Sequence, residues 1–324
     1  MNVRRLIPAT AAAGAVTLGL VTLSACSTSS AADGKSSDGK LKVVASFYPM
    51  QYLAEQIGGD HVTVSSLTKP GMEPHDLELK PRQTAELNEA GYILYLKGVQ
   101  PAVDKAIAQS EAKNKVDAAT LTTVEHHGTE GGHSHEGEEA GHDEHEGEGE
   151  AGADPHIWLD PVKYAEVAKG VGTSLEKADP DHAADYKKNT DALVTKLNGL
   201  STAYQQGLKT TATKTFITTH SAFGYLAERY GLDQEGIAGL DPESEPSPAR
   251  IKELQTIAKK DKVTTVFFET LASDKTAKTL AEDTGLKTDV LDPLEGITDK
   301  SKGDDYLQVM ESNLAALQKA LGAK

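Results

Sequence analysis

Eleven histidines stand among the 324 residues of the chain, and they fall into two unlike groups. Six of them, His126, His127, His133, His135, His142 and His145, share the run Glu125–Glu150 with ten acidic residues. The other five, His61, His75, His156, His182 and His220, are scattered. Imidazole nitrogens and carboxylate oxygens are the donors that divalent zinc accepts. Two of the scattered histidines lie in related phrases, EPHDLELKP around His75 and DPHIWLDP around His156. The proline before each histidine stiffens the backbone that carries the ring. His220 follows a β-rich run in FITTHSAFGYL, and Glu295 lies in LDPLEGIT. His75, His156, His220 and Glu295 together make a four-coordinate set suited to Zn²⁺, with bonds of about 2.0–2.2 Å.

The clustered histidines are a different matter. Their run holds almost no large apolar residue, so it cannot offset the entropy of ordering and is expected to be a mobile loop. Neutral imidazoles interleaved with carboxylates would bind zinc there weakly. His61 and His182 are expected to be surface or satisfied core residues. Asp76, Asp160 and Trp158 are expected to support or pack around metal-bound histidines, whose second ring nitrogen needs an acceptor. Glu269 ends a strand, and either lines a cleft or caps a helix.

The elements that must position these donors alternate. Leu41–Pro49 reads as a strand, followed by a helix to about Ile57; His61–Thr68 reads as a strand and Pro81–Ala90 as a helix. Tyr92–Gly98 is a strand and Pro101–Ser110 a helix. After the histidine run come a helix over Pro161–Lys177 and a long one from Asp181 to about Gly207. Alternation then resumes with strands at Thr215–Thr219, Val263–Glu269 and Thr288–Pro293. Helices follow at Ala222–Tyr230, after the N-cap Ser247, at Ser273–Thr284 and at Asp304–Leu321. Such alternation gives parallel sheets with helices on both faces, here as two α/β lobes with a cleft between them. Ligands in open α/β sheets bind outside the carboxyl ends of the strands, which is where the four scattered donors fall.

The termini and composition narrow the class. Formal charge is −16, and the ten acids of the histidine run supply most of it, leaving a mildly acidic body. That balance offers no basic footprint for nucleic acid. Arg4 and Arg5 precede an apolar run over residues 6–23 and then LSAC, ending at Cys26. This is the pattern of an export signal. Cys26 is the only cysteine, so neither an internal disulfide nor a thiolate metal site can form. Leu23-Ser24-Ala25-Cys26 resembles a bacterial lipobox, which implies lipidation of Cys26 and an anchor at the extracellular face of the cytoplasmic membrane. The expected organisation is a signal peptide over 1–25, a flexible tether over 26–40 and an N-terminal lobe over 41–178 carrying the loop at 125–150. A linking helix over 179–209 and a C-terminal lobe over 210–324 complete it.

Taken together and in order, EPHDLELKP, DPHIWLDP, THSAFGYL and LDPLEGIT resemble the zinc-specific solute-binding proteins of ATP-binding-cassette importers, a cluster that also handles manganese. The resemblance runs from about Leu41 to the C-terminus and includes the acidic, histidine-rich insertion. It implies two (β/α) lobes joined by a rigid helix, with Zn²⁺ held in the cleft as cargo. It also implies a monomeric, non-enzymatic receptor working with a membrane permease and its separate ATPase. His75, His156 and His220 carry over as nitrogen ligands and Glu295 as the carboxylate. Pro74 stands where some zinc-binding relatives have a glutamate, with Glu73 one residue earlier, so the fourth donor is Glu295, a water, or the two in exchange. His220 favours zinc over manganese or iron, because imidazole suits zinc. A zinc hydrolase is the rival from another class, but the chain has no H-E-x-x-H motif and a fourth protein ligand would close the metal site. A surface adhesin would share the anchor. No phosphate loop of the G-x-x-x-x-G-K-[ST] type is present, so ATP hydrolysis falls to another subunit.

Overall fold

A computed structural model describes residues 34–127 and 153–324. The lipobox cysteine Cys26 and the loop histidines His133, His135, His142 and His145 lie outside the described residues.

The chain builds two four-stranded parallel sheets of the same topology. The first contains β1 (Leu41–Ala45), β2 (Val62–Ser66), β3 (Tyr92–Tyr95) and β4 (Lys115–Asp117) in the order β2-β1-β3-β4. The second contains β5 (Thr215–Thr218), β6 (Asp233–Gly236), β7 (Thr265–Phe268) and β8 (Lys287–Val290) in the order β6-β5-β7-β8. In each sheet the central strands are buried on both faces, and their sequences, LKVVA, YILY, TFIT and TVFF, are correspondingly apolar or β-branched throughout. The outer strands KVD and DQEG are polar and short, as edges should be.

Helices α1 (Tyr48–Gly58), α2 (Pro81–Glu89) and α3 (Pro101–Gln109) flank the first sheet. Beyond α4 (Pro161–Ala178) and α5 (Ala183–Gly207), the second sheet is flanked by α6 (Gly224–Tyr230), α7 (Pro248–Lys260), α8 (Lys275–Thr284) and α9 (Tyr306–Leu321). Proline stands in the first turn of α1, α2, α3, α4 and α7, where its missing N–H costs nothing. This placement explains why β1 stops at Ala45 and not at Pro49: Pro49 belongs to the first turn of α1. Ser247 caps α7 through the Arg250 amide, and Asp160 caps α4 through the Val162 amide.

One apolar cluster runs through both lobes. It includes Phe47, Tyr52 and Leu94 from the first lobe, Trp158, Tyr164 and Leu197 from the middle of the chain, and Phe216, Tyr306 and Leu317 from the second. Buried aromatic hydroxyls and one indole stitch it together. The Tyr164 hydroxyl donates to the Pro49 carbonyl (2.6 Å), and that of Tyr204, on α5, donates to the Met310 carbonyl on α9 (2.7 Å). Tyr306 donates to the carbonyl of Trp158 (2.6 Å), whose indole in turn donates to the carbonyl of Pro293 (2.7 Å). At its other end α5 reaches α1, with the Asn189 amide donating to the Ile57 carbonyl (3.0 Å). The long helix thus touches both lobes within a shared core.

Part of the expected tether folds back. Lys35 forms an antiparallel bridge to Leu41, and its ammonium pairs with the buried Asp179 at 3.1 Å. Residues 34–40 are therefore a clasp on the first lobe, while residues 26–33 lie outside the described residues. Among the described residues no helix is long and apolar enough to cross a membrane.

Candidate metal centre

Each of the four scattered donors sits past the carboxyl end of a strand or in the turn that enters a helix. His75 lies in the irregular segment between β2 and α2; His156 precedes a single 3₁₀ turn (Ile157–Leu159) that leads into α4. His220 comes two residues after β5, and Glu295 five residues after β8. Two of these positions precede α4 and two follow α5, yet the fold brings all four together.

The turn bearing Glu295 is built for one purpose. Asp292 accepts from the Leu294 amide (2.9 Å), and Asn313 on α9 bonds both the amide and the carbonyl of Asp292 (3.0 and 2.7 Å). Leu294 is held at φ 58°, a left-handed conformation that a leucine adopts only at a cost of about 1–3 kcal/mol. The fully buried leucine anchors the turn while the next residue points into the cleft.

The four donor atoms converge. Glu295 Oε1 lies 3.2 Å from His75 Nε2, 3.6 Å from His156 Nε2 and 3.3 Å from His220 Nε2. His156 Nε2 and His220 Nε2 are 3.4 Å apart, and all four atoms fall within 4.8 Å of one another. Bonds of about 2.0–2.2 Å in a tetrahedron require ligand–ligand edges of about 3.3–3.6 Å, so these separations match a zinc shell. His156, His220 and Glu295 are completely buried, and only the His75 side chain, 11% exposed, reaches solvent.

Behind the donors stand two carboxylates. His156 Nδ1 donates to Asp154 Oδ1 (2.7 Å), and His220 Nδ1 donates to Glu269 Oε1 (2.6 Å). With Nδ1 held in this way, His156 and His220 turn Nε2 toward each other and toward Glu295, so that each Nε2 carries either a proton or, once that is lost, a lone pair for a metal. Contacts this close need a proton or a metal ion among them. Glu295 Oε2 and Glu269 Oε2 are buried without a hydrogen-bond partner, leaving further negative density around the centre.

The electrostatics agree. Burial, the largest influence on Glu295, pushes its pKa up, yet bonds to His156, His220 and His75 outweigh it and hold the carboxyl well below its usual range. Burial likewise works against a charged His220, but Glu269 and Glu295 hold that ring well above the ordinary imidazole range. The site is thus a buried anion that demands positive charge. Glu73 is the exception: burial and then the charge of Glu295 push it up to about 8. Its Oε1 accepts from the His75 amide at 3.1 Å, so it shapes the segment that carries that ring.

The expected supporting cast is partly different from the observed one. Asp76 is exposed, and Asp160 caps α4 and pairs with Arg229 at 2.6 Å instead of bracing a donor ring. Trp158 packs against His156 with ring centres 5.1 Å apart. The residues that do accept the Nδ1 protons are Asp154 and Glu269. The Asp-Pro-His spacing held the first signal, since an Asp two residues before a histidine can accept both its amide (3.0 Å) and its ring proton. The second was visible only as an acid at a strand end. His61 and His182 lie elsewhere, stacked 4.0 Å apart and paired with Asp185 and Asp179.

Two parallel lobes with a donor set shared across their cleft define the class of two-lobed binding proteins. The chain belongs to the family described as zinc-uptake complex component A, periplasmic, whose model matches residues 43–320. It is 38% identical over 286 residues to the zinc-binding lipoprotein AdcA of Streptococcus pneumoniae, covering 86% of this chain and 55% of that protein. It is also 38% identical over 291 residues to the high-affinity zinc uptake system protein ZnuA of Bacillus subtilis, covering 88% and 89%. The chain thus spans about half the length of the AdcA proteins it matches and most of the Bacillus protein. Among solved structures it resembles the Zn(II)-bound ZnuA-like domain of S. pneumoniae AdcA, with 34% identity, a TM-score of 0.70 and coverage of 87% and 99%.

Proposed function

We propose that the chain is a receptor that captures Zn²⁺ with His75, His156, His220 and Glu295 and delivers it to a membrane permease driven by a separate ATPase. The observation that carries this reading is the set of donor separations of 3.2–3.6 Å around Glu295 Oε1, with two of the rings already braced through Nδ1. Zinc is the cargo. Three imidazoles select it over manganese and iron, which favour oxygen-rich sets. The names of the relatives, zinc-binding lipoprotein and zinc uptake protein, support the same choice.

Capture follows from the asymmetry of the site. His156, His220 and Glu295 are locked by the Trp158–Pro293 bond, the Asp292–Asn313 lock and the two bracing carboxylates. His75 sits on an irregular segment and alone reaches solvent, so the ion meets the three fixed donors and His75 closes over it. Zinc draws donors from both lobes and so stabilises one cleft geometry, which a permease can recognise. A fourth protein ligand leaves no coordination position for an activated water, which argues for a receptor and against a hydrolase. Lipidation at Cys26 would keep this receptor, as a monomer, at the outer face of the cytoplasmic membrane beside its permease. The test is competitive zinc titration of the soluble form that lacks Cys26. One tight site that disappears in His75→Ala and His220→Ala supports the assignment; unchanged tight binding in both variants overturns it.

A further inference from the structure

His156 and His220 reach the centre from different parts of the chain, and one short helix ties their supports together. His220 is fixed to the second sheet. Its carbonyl accepts from Thr218 Oγ1 (2.7 Å) and Gln234 Nε2 (3.1 Å), and the next amide, of Ser221, donates to the Gly239 carbonyl (2.8 Å). The helix α6 begins shortly afterwards, at Gly224. Leu226 and Ala227 are buried, and Tyr230 at the end of the helix stacks on Tyr204 of α5 with ring centres 5.2 Å apart. These contacts leave α6 little freedom to tilt.

Tyr225 and Arg229 stand four residues apart, and so on one side of α6. They grip the two ends of the turn that carries His156. The Tyr225 hydroxyl donates to the Asp154 carbonyl (2.8 Å) and accepts from the Glu125 amide (2.7 Å). The Arg229 guanidinium reaches Asp160 Oδ2 through Nε (2.8 Å) and Nη2 (2.6 Å), while Asp160 Oδ1 is committed to the Val162 amide (2.9 Å). Asp154 and Asp160 are both fully buried, so the grips work where competition from water is weak. Neither Tyr225 nor Arg229 offers a donor to the metal. Together they join the backbone of one metal-binding histidine to the helix that follows another.

We propose that Tyr225 and Arg229 are positioning residues that set the distance between His156 and His220 and so tune the centre to the size of zinc. The inference rests on the zinc-receptor reading and adds to it a means of selection by size. The two Nε2 atoms are 3.4 Å apart. In a tetrahedral shell that edge corresponds to metal–nitrogen bonds of about 2.1 Å, the zinc value. A cation with bonds of about 2.3 Å needs the edge opened to about 3.8 Å. Opening it draws the His156 turn away from α6 and stretches the bonds of 2.6–2.8 Å that Tyr225 and Arg229 make to Asp154 and Asp160. The bond from the Trp158 indole to the Pro293 carbonyl (2.7 Å) holds the same turn toward Glu295, so loosening the grip of α6 frees one edge of the shell and leaves the other. Donor chemistry separates zinc poorly from cadmium, a larger ion of the same closed-shell type; a fixed edge separates them by length.

The test measures the tight constants for Zn²⁺ and for Cd²⁺, each alone, by chelator competition on the soluble form that lacks Cys26 and on its Tyr225→Phe and Arg229→Lys variants. Both changes are mild. Phenylalanine keeps the ring, and lysine keeps a positive charge beside the buried Asp160, which alanine would leave unpaired. Each variant should weaken zinc by about 3–10-fold, the worth of one or two hydrogen bonds, and change cadmium by no more than about twofold. The preference for zinc over cadmium then falls, and falls further in the combined variant. A loss of packing alone would weaken both ions alike. Equal weakening of the two ions, an unchanged zinc constant or a greater loss for cadmium overturns the inference. A parent chain without a tight zinc site would instead defeat the receptor reading, whereas a tight site with an unaltered preference in the variants defeats only the selection by size.

Discussion

At the scale of single residues, the chemistry lies as much behind the donors as in them. Asp154 and Glu269 fix which nitrogen of His156 and His220 can reach a metal. Replacing either acid by its amide keeps the volume but removes the charge and one acceptor geometry. Glu269→Gln and Asp154→Asn should each weaken zinc binding by about 10–100-fold, measured by chelator competition, with the folded structure retained by circular dichroism. A change within threefold for Glu269→Gln would mean that His220 does not depend on this partner. A second consequence concerns protons. Burial works against a charged His220, but Glu269 and Glu295 raise the ring above the ordinary imidazole range, which favours its protonated form without zinc. Zinc must displace that proton, and affinity therefore rises with pH through the neutral range and falls on acidification. Calorimetry in buffers of different ionisation enthalpy should find net proton release per zinc bound at pH 7. No release would contradict the assignment of charge.

At the scale of elements, sequence and structure agree where packing is strong and part where it is weak. The buried central strands announced themselves through continuous apolar or β-branched runs such as YILY and TVFF. The edge strands β4 and β6 did not: KVD and DQEG are short and polar, and they pair only because a neighbouring strand offers its free edge. The boundary errors, such as extending β1 to Pro49, came from prolines that start helices as readily as they stop strands. All four scattered donors were legible because each stands beside a strand end or a proline. Glu269 as a partner of His220 was not, since it depends on how β7 lies beside β5. Element contacts also make predictions. Asp289 on β8 pairs with Lys302 (2.9 Å) and with Lys319 on α9 (2.8 Å). Burial works against its ionisation, but the two lysines prevail and bring its pKa down to about 2. A carboxyl depressed in the folded state contributes stability above its unfolded value of about 3.9, and loses it as pH falls toward 2. With the lysines in solvent the contribution is about 1 kcal/mol. Asp289→Asn should lower the melting temperature at pH 6 by about 1–2 °C and have little effect at pH 2, read by thermal scans at both values.

At the scale of the whole molecule, the two lobes share one apolar cluster through α1, α4, α5 and α9. Their sheets are separate and each packs a cluster of its own, Val44 with Ile93 in the first lobe and Ile217 with Val266 in the second, but the largest core is shared. Thermal unfolding without metal should therefore give one cooperative transition and not two, checked by calorimetry. A ligand bound only by the folded form stabilises by mass action: at about a thousandfold excess over its dissociation constant the gain is about 4 kcal/mol. For a chain of this size that raises Tm by about 6 °C. The shared core also limits how far the lobes can swing. On the proposed reading, capture would depend more on the His75 segment, the one part of the donor set that reaches solvent, than on a wide hinge. Of the histidine-rich run only residues 125–127 are described, and the centre gathers His75, His156, His220 and Glu295 instead.

The most direct test of the central claim is the coordination shell of zinc bound at one equivalent, read from a zinc-bound crystal or from X-ray absorption. The account predicts a four-coordinate ion with nitrogen from His75, His156 and His220 and oxygen from Glu295, all at about 2.0–2.2 Å. A shell lacking Glu295, with water in its place, or one drawn from histidines of the 125–150 run, would contradict it.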